Sequence, residues 1–228
     1  LCIITPEDSS DISASKCPEL FETPLYRSGA PFSAVLVNFY LPSDLAAILD
    51  NIRLLISTIT NFLTIKPEPE PLILQQESTA ISDQALIIHE TILSLPSIPL
   101  SPSSPPADLI HEILRTTTII YIIAISSHVP ISSAYTPELR QQVYSTIFKV
   151  SLSDWKRIPG LFLWILLVAS PGSGKDAMGR LLRTNETLAA MYTGLKDFGF
   201  AIECLKTFWV VQKWIAGSIG GDGGIVGD

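Results

Sequence analysis

From Leu45 onward, apolar residues recur three and four positions apart: Leu45, Ile48, Leu49, Ile52, Leu55, Ile56, Ile59, Phe62 and Leu63. Positions so spaced share one face of an α-helix, and Asp50, Asn51, Arg53, Ser57, Thr60 and Asn61 fill the other face. The pattern predicts an amphipathic helix over 44–66. Ser43 stands where an N-cap is wanted, with the Asp44 carboxylate at the positive end of the helix. Lys66 and Pro67 close the segment, because proline removes an amide donor and cannot continue the ladder.

The same reading extends along the chain. Lys66 to Pro71 alternates proline with charge and predicts a stiff connector, after which Ser82 caps a second helix running through Ile88 and Ile92 to Leu95. Residues 96–106 hold five prolines and four serines, which predicts a solvent-exposed loop. A third helix follows over 107–127, apolar on all sides in its second half and therefore buried. Thr136 with Pro137 at the first helical position starts a fourth helix, to about Val150, with Leu139, Val143, Ile147 and Val150 on its inner face. Pro159 opens an apolar helix through Trp164, and two more span 174–192 and 195–216, stopped by Gly217. No alternating strand run of useful length interrupts the series.

The fold class is therefore all-α: a single domain of six to seven packed helices, several of them hydrophobic all round. Residues 1–42 read as an irregular, partly docked arm, 43–217 as the helical domain, and 218–228 as a flexible Gly-rich tail.

Composition narrows the function. With 228 residues, 47% hydrophobic and only 16% charged, the chain has enough apolar surface to build a core. A net charge of -7 argues against the basic surface that phosphate backbones require, so no direct nucleic-acid contact is expected. The uncharged stretch 116–137 has its apolar run confined to Ile119–Ile125, and Leu161–Ala169 is equally short. Both fall below the roughly 20 apolar residues of a membrane span and read as core helices. No secretory signal is visible at Leu1–Thr5, and the absence of an initiator Met suggests a fragment. Cys2, Cys17 and Cys204 lack any metal-ligand spacing and fit reduced thiols in the nucleus or cytoplasm.

One string approaches a phosphate-binding loop: Ala169-Ser170-Pro171-Gly172-Ser173-Gly174-Lys175-Asp176. In such a loop glycine amides cradle phosphates, the Lys neutralises them and a hydroxyl holds magnesium, giving Gly172, Gly174 and Lys175 as cofactor-binding candidates of a nucleotide enzyme. However, Asp176 occupies the hydroxyl position, Ala169 replaces the first Gly, and the required parallel sheet has no visible strands. A Pro-Gly turn between helices is the plainer reading. His89-Glu90 and His111-Glu112 fail as zinc-hydrolase motifs, since Leu93 and Arg115 stand where the second His is needed. No catalytic residue, metal site or cofactor is assigned. Aromatic residues concentrate in the last third, where Trp164, Phe198, Phe208, Trp209 and Trp214 are candidates for a ligand or partner surface, core packing being the alternative.

The order of residues in that third carries a resemblance. Gly160-Leu161-Phe162-Leu163-Trp164-Ile165-Leu166-Leu167-Val168-Ala169 precedes a short turn and Arg180-Leu181-Leu182. Then Gly194-Leu195-Lys196-Asp197-Phe198 leads into Cys204-Leu205-Lys206-Thr207-Phe208-Trp209-Val210-Val211-Gln212-Lys213-Trp214. This resembles the helical regulatory region of fungal transcription factors of the binuclear zinc-cluster class, over about 150–217 and more generally from 43 onward. The zinc cluster of that class uses six Cys and is not encoded in these residues, so DNA binding does not carry over. The resemblance implies a non-enzymatic regulatory domain that senses a small apolar ligand or a protein partner, or forms a homodimer.

Overall fold

The computed structural model describes residues 25–26, 30–35, 42–65, 71–172, 177–196 and 198–217. Nine α-helices occur among them: α1 (Phe32–Val35), α2 (Ser43–Ile65), α3 (Pro71–Ser94), α4 (Pro106–Ser127), α5 (Pro137–Ile147), α6 (Leu152–Trp155), α7 (Pro159–Ala169), α8 (Ala177–Lys196) and α9 (Phe198–Ile215). Seven have eleven residues or more, α1 and α6 are single turns, and no strand is present among the described residues. The all-α expectation holds.

Each long helix forms where the spacing anticipated, with instructive shifts. Helix α2 buries every residue of the expected stripe except Leu63, which is half-buried. Ser43 is the first helical residue rather than the cap, and its hydroxyl turns to the Asp44 carboxylate at 3.3 Å. Helix α3 begins at Pro71, three turns before the expected Ser82. Pro71 is the end of the proline string by sequence, yet at the first helical position its missing amide is one no helix would bond. Helix α5 starts as anticipated, with the Thr136 side chain accepting from the Leu139 amide at 3.3 Å, but stops at Ile147. The single turn α6, capped by Ser151 on the Asp154 amide, was not anticipated. Gly217 closes α9 at φ +66°, the left-handed conformation that glycine adopts without Cβ strain.

Helix α4 is the axis of the packing. It touches α3, α5, α7 and α9, and it is buried on all sides from Leu109 to Ile125 apart from Arg115 and Ile123. Helices α2 and α4 are long and apolar enough to cross a membrane by length and composition, longer than the short apolar runs indicated by sequence. Of their apolar windows, 56% and 83% are buried inside the protein, so the apolar faces are spent on neighbouring helices. The described part of the N-terminal arm is pinned to α2. Leu25, Tyr26 and Phe32 are buried, and the Phe32 amide donates to both Asp50 carboxylate oxygens. The Arg53 guanidinium donates to the Ala30 carbonyl at 2.8 Å and lies 4.0 Å over the Phe32 ring. Residues 218–228, expected to be a tail, lie outside the described residues.

Several helix ends in this apolar bundle are closed by polar atoms of aromatic side chains. The last turn of any helix leaves carbonyls without intrahelical donors. Aromatic side chains supply those donors here. Tyr135 and Tyr144 donate to the Val168 and Ala169 carbonyls of α7, Trp155 to Ile147 of α5, and Trp214 to Ile125 of α4. Burial pushes the Tyr135 phenol above its ordinary value, which keeps it a donor.

Candidate functional site

The aromatic residues nominated by sequence separate into two groups. Trp164 and Trp214 are fully buried: Trp164 packs edge-on against Tyr121 with ring centroids 5.7 Å apart, and Trp214 packs edge-on against Phe62 at 5.8 Å. They belong to the core and contribute nothing to a surface, because a large indole satisfies the interior volume first. Phe208 is half-buried under Tyr26, whereas Phe198 and Trp209 project from α9 with 73% and 63% of their surface exposed.

Trp214 also ties two helix ends together. Its indole donates to Ile125, while the Trp214 carbonyl sits 3.0 Å from Nδ1 of His128, whose ring lies 4.9 Å from the indole. His128 occupies the left-handed region at φ 50° as it terminates α4, and the two contacts hold the carboxyl ends of α4 and α9 against each other.

A groove of about 350 Å³ opens elsewhere, between the α6–α7 corner and α8. Its lining is Leu152, Trp155, Lys156, Pro159, Phe162, Asn185, Leu188, Ala189 and Met191, so three side chains, Trp155, Lys156 and Asn185, bring polar atoms. Trp155 and Phe162 stack nearly parallel, with centroids 4.6 Å and planes 14° apart. The Trp155 indole N–H is already spent on Ile147, and the Asn185 amide nitrogen on Leu181 at 3.1 Å. Apart from the exposed Lys156, what remains is a flat apolar wall. Leu152, Leu188 and Met191 around it are 58%, 57% and 57% exposed, an apolar rim left open to water. Such a chamber is within the ordinary range for small-molecule sites, about 300–1,000 Å³. Trp155 lies within the aromatic-rich last third but was not among the candidates, and Phe162, Leu152 and Met191 are in one dimension ordinary apolar residues.

A second cavity, of about 520 Å³, lies between the arm, α2 and α9 and is lined by Asp50, Arg53, Ser57, Thr60, Asn61 and Glu203 among others. Its Asp50 and Arg53 are committed to holding the arm, as described above.

The phosphate-loop string does not acquire the required setting. Ala169 ends a helix rather than a strand, Gly172 lies in a short 3₁₀ turn, and Gly174 and Lys175 lie outside the described residues. A nucleotide enzyme built on this segment is therefore not supported.

Of the two His-Glu pairs, the second is part of a buried hydrogen-bond network. His89 is half-buried on α3. Glu112 is fully buried and accepts from Gln142 Nε2 at 2.9 Å, the Ile98 amide at 3.1 Å, Ser97 Oγ at 3.2 Å and Arg115 Nη1 at 3.3 Å. This carboxylate fastens the Pro/Ser-rich loop and α5 to α4. Burial holds its neighbour His111 below the ordinary imidazole value. Among the described residues no three His, Cys, Asp or Glu side chains converge as metal ligands would.

A family model for the fungal specific transcription factor domain matches residues 15–214, which takes in every long helix but for the last residue of α9. No curated protein and no solved structure matches the chain. With that match running from the N-terminal arm to the last turns of α9, the chain belongs to the family of the fungal specific transcription factor domain.

Proposed function

We propose that this domain is the controlling portion of a nuclear transcription factor and that it senses a small apolar ligand in the groove between α6–α7 and α8. The observation that supports the reading is the exposed rim of Leu152, Leu188 and Met191 around the stacked Trp155 and Phe162. A rim of this kind loses unfavourable contact with water when an apolar guest fills the groove. Helix α8 forms one wall and also packs on α7 and α9, so a guest that shifts α8 alters the helix presenting Phe198 and Trp209. The role is binding and regulation, not chemistry.

The test is titration with long-chain and polycyclic alcohols, read by Trp155 emission and by thermal midpoint. A guest blue-shifts the emission and raises the midpoint. Ala189→Trp, which fills the groove from α8, abolishes both effects, whereas Trp209→Ala on the far helix leaves them in place. No response to any of these alcohols overturns the ligand reading.

A further inference from the structure

Helix α9 has two faces with different uses. Cys204, Val211, Trp214 and Ile215 are buried and hold the helix on the bundle. Phe198, Leu205 and Trp209 point the other way, 73%, 41% and 63% exposed. At about 100° per residue, positions seven and eleven apart fall within a band of about 40°, so the three form one stripe along three turns. Their spacing is that of a heptad: Phe198, Leu205 and Gln212 occupy one seam position, and Ile202, Trp209 and Ala216 the other. Nothing in the packing of the described residues requires this stripe.

The flanks of the stripe are chemically unequal. Lys206 and Lys213, both exposed, each follow a seam residue and line one side. Glu203, the acid between Phe198 and Ile215, turns instead toward the Asp50–Arg53 cavity. The opposite flank is Phe208, half-buried, and Ile215, buried. Along the chain, charge divides the same way: residues 149–217 carry nine Lys and Arg against five Asp and Glu, whereas residues 1–148 carry six against fifteen.

We propose that this face of α9 docks one amphipathic helix of a partner protein, with apolar heptad positions over Phe198, Leu205 and Trp209 and with Asp or Glu facing Lys206 and Lys213. The charge pattern selects this occupant. In an antiparallel pairing of α9 with a second copy the two lysine flanks meet each other, and in a parallel pairing they meet the apolar flank of Phe208 and Ile215. Neither arrangement supplies the missing anions. An acidic amphipathic helix supplies both the apolar seam and the charge, by the helix-on-helix recognition common among regulatory proteins.

Two labelled three-heptad peptides test this on the whole chain by fluorescence anisotropy. Both carry Leu and Ile at the seam; one has Glu on the flanks and the other Lys. The Glu peptide binds about tenfold or more tightly than the Lys peptide at low salt, and added salt narrows the difference. Trp209→Ala removes binding of the Glu peptide, and Lys206→Glu with Lys213→Glu reverses the preference. All three positions are exposed or largely so, and an unchanged circular dichroism spectrum certifies the fold of each variant. Equal affinity for both peptides, or no binding of the Glu peptide, overturns the proposal. So does self-association that Trp209→Ala abolishes, which assigns the face to a second copy. Binding of phosphatidylserine vesicles in place of peptide overturns it as well.

Discussion

Replacing Glu112 with Ala removes the acceptor that four donors share, and its cost follows from what is left behind. Arg115, whose side chain is 14% exposed, loses its carboxylate at 3.3 Å, and the Ile98 amide, Ser97 hydroxyl and Gln142 amide lose acceptors at 2.9–3.2 Å. A hydrogen bond to a charged acceptor contributes about 1.5–3 kcal/mol net, but the four are not additive, because desolvating the carboxylate offsets part of the gain. Removing one partner of a buried charged network costs about 3–5 kcal/mol, which sets the expected loss. At about 2–4 °C per kcal/mol for a chain of this size, the thermal midpoint falls by roughly 6–20 °C. Glu112→Gln keeps the shape but turns an amide donor toward other donors and costs less, about 2–3 kcal/mol. Urea unfolding followed by circular dichroism measures both variants, and amide exchange at Ile98 reports whether the 96–106 loop has come free. A Glu112→Ala protein within about 0.5 kcal/mol of the parent, with Ile98 still protected, refutes the assignment of Glu112 as the hub.

Trp214→Ala, by emptying a fully buried site between α4 and α9, costs about 3–5 kcal/mol, and Trp214→Phe about 1–3 kcal/mol through the stranded Ile125 carbonyl; urea midpoints separate the two. Tyr135→Phe leaves the Val168 carbonyl at the end of α7 without its donor and lowers stability by about 1–2 kcal/mol, and an unchanged midpoint excludes that role. Because burial depresses the His111 value, the unfolded chain takes up a proton that the fold resists as pH falls below about 6.5, so stability declines toward acid. His111→Leu flattens that decline below about pH 6.5, and identical pH slopes for the two proteins rule the imidazole out as its source. Leu188→Asp, at the rim of the groove, weakens binding of long-chain alcohols with little change in stability, since the side chain is already 57% exposed.

Periodicity alone determined most of the architecture. The three-and-four spacing from Leu45 to Phe62, the Thr136-Pro137 start and the glycine at 217 each express a rule that acts within one or two turns, so one dimension contains them. Pro71 was misread because a proline before a helix and a proline that ends a connector look alike until the following turn is seen to bond. The sequence groups the C-terminal aromatics as candidates for one surface, but their division into core and surface was not legible: Trp209 and Trp214 lie five residues apart, one exposed and one fully buried. Only packing decides which side of α9 meets α2, α4 and α8. Glu112 shows the same limit from the polar side. In sequence it is half of a failed zinc motif, and in the fold it is the acceptor for donors 14, 15 and 30 residues away. The groove of Trp155, Phe162 and Leu188 likewise exists only between helices. Local rules fix where most of the long helices lie and which residues are apolar, whereas a site is a relation among side chains distant along the chain, and tertiary packing alone creates it.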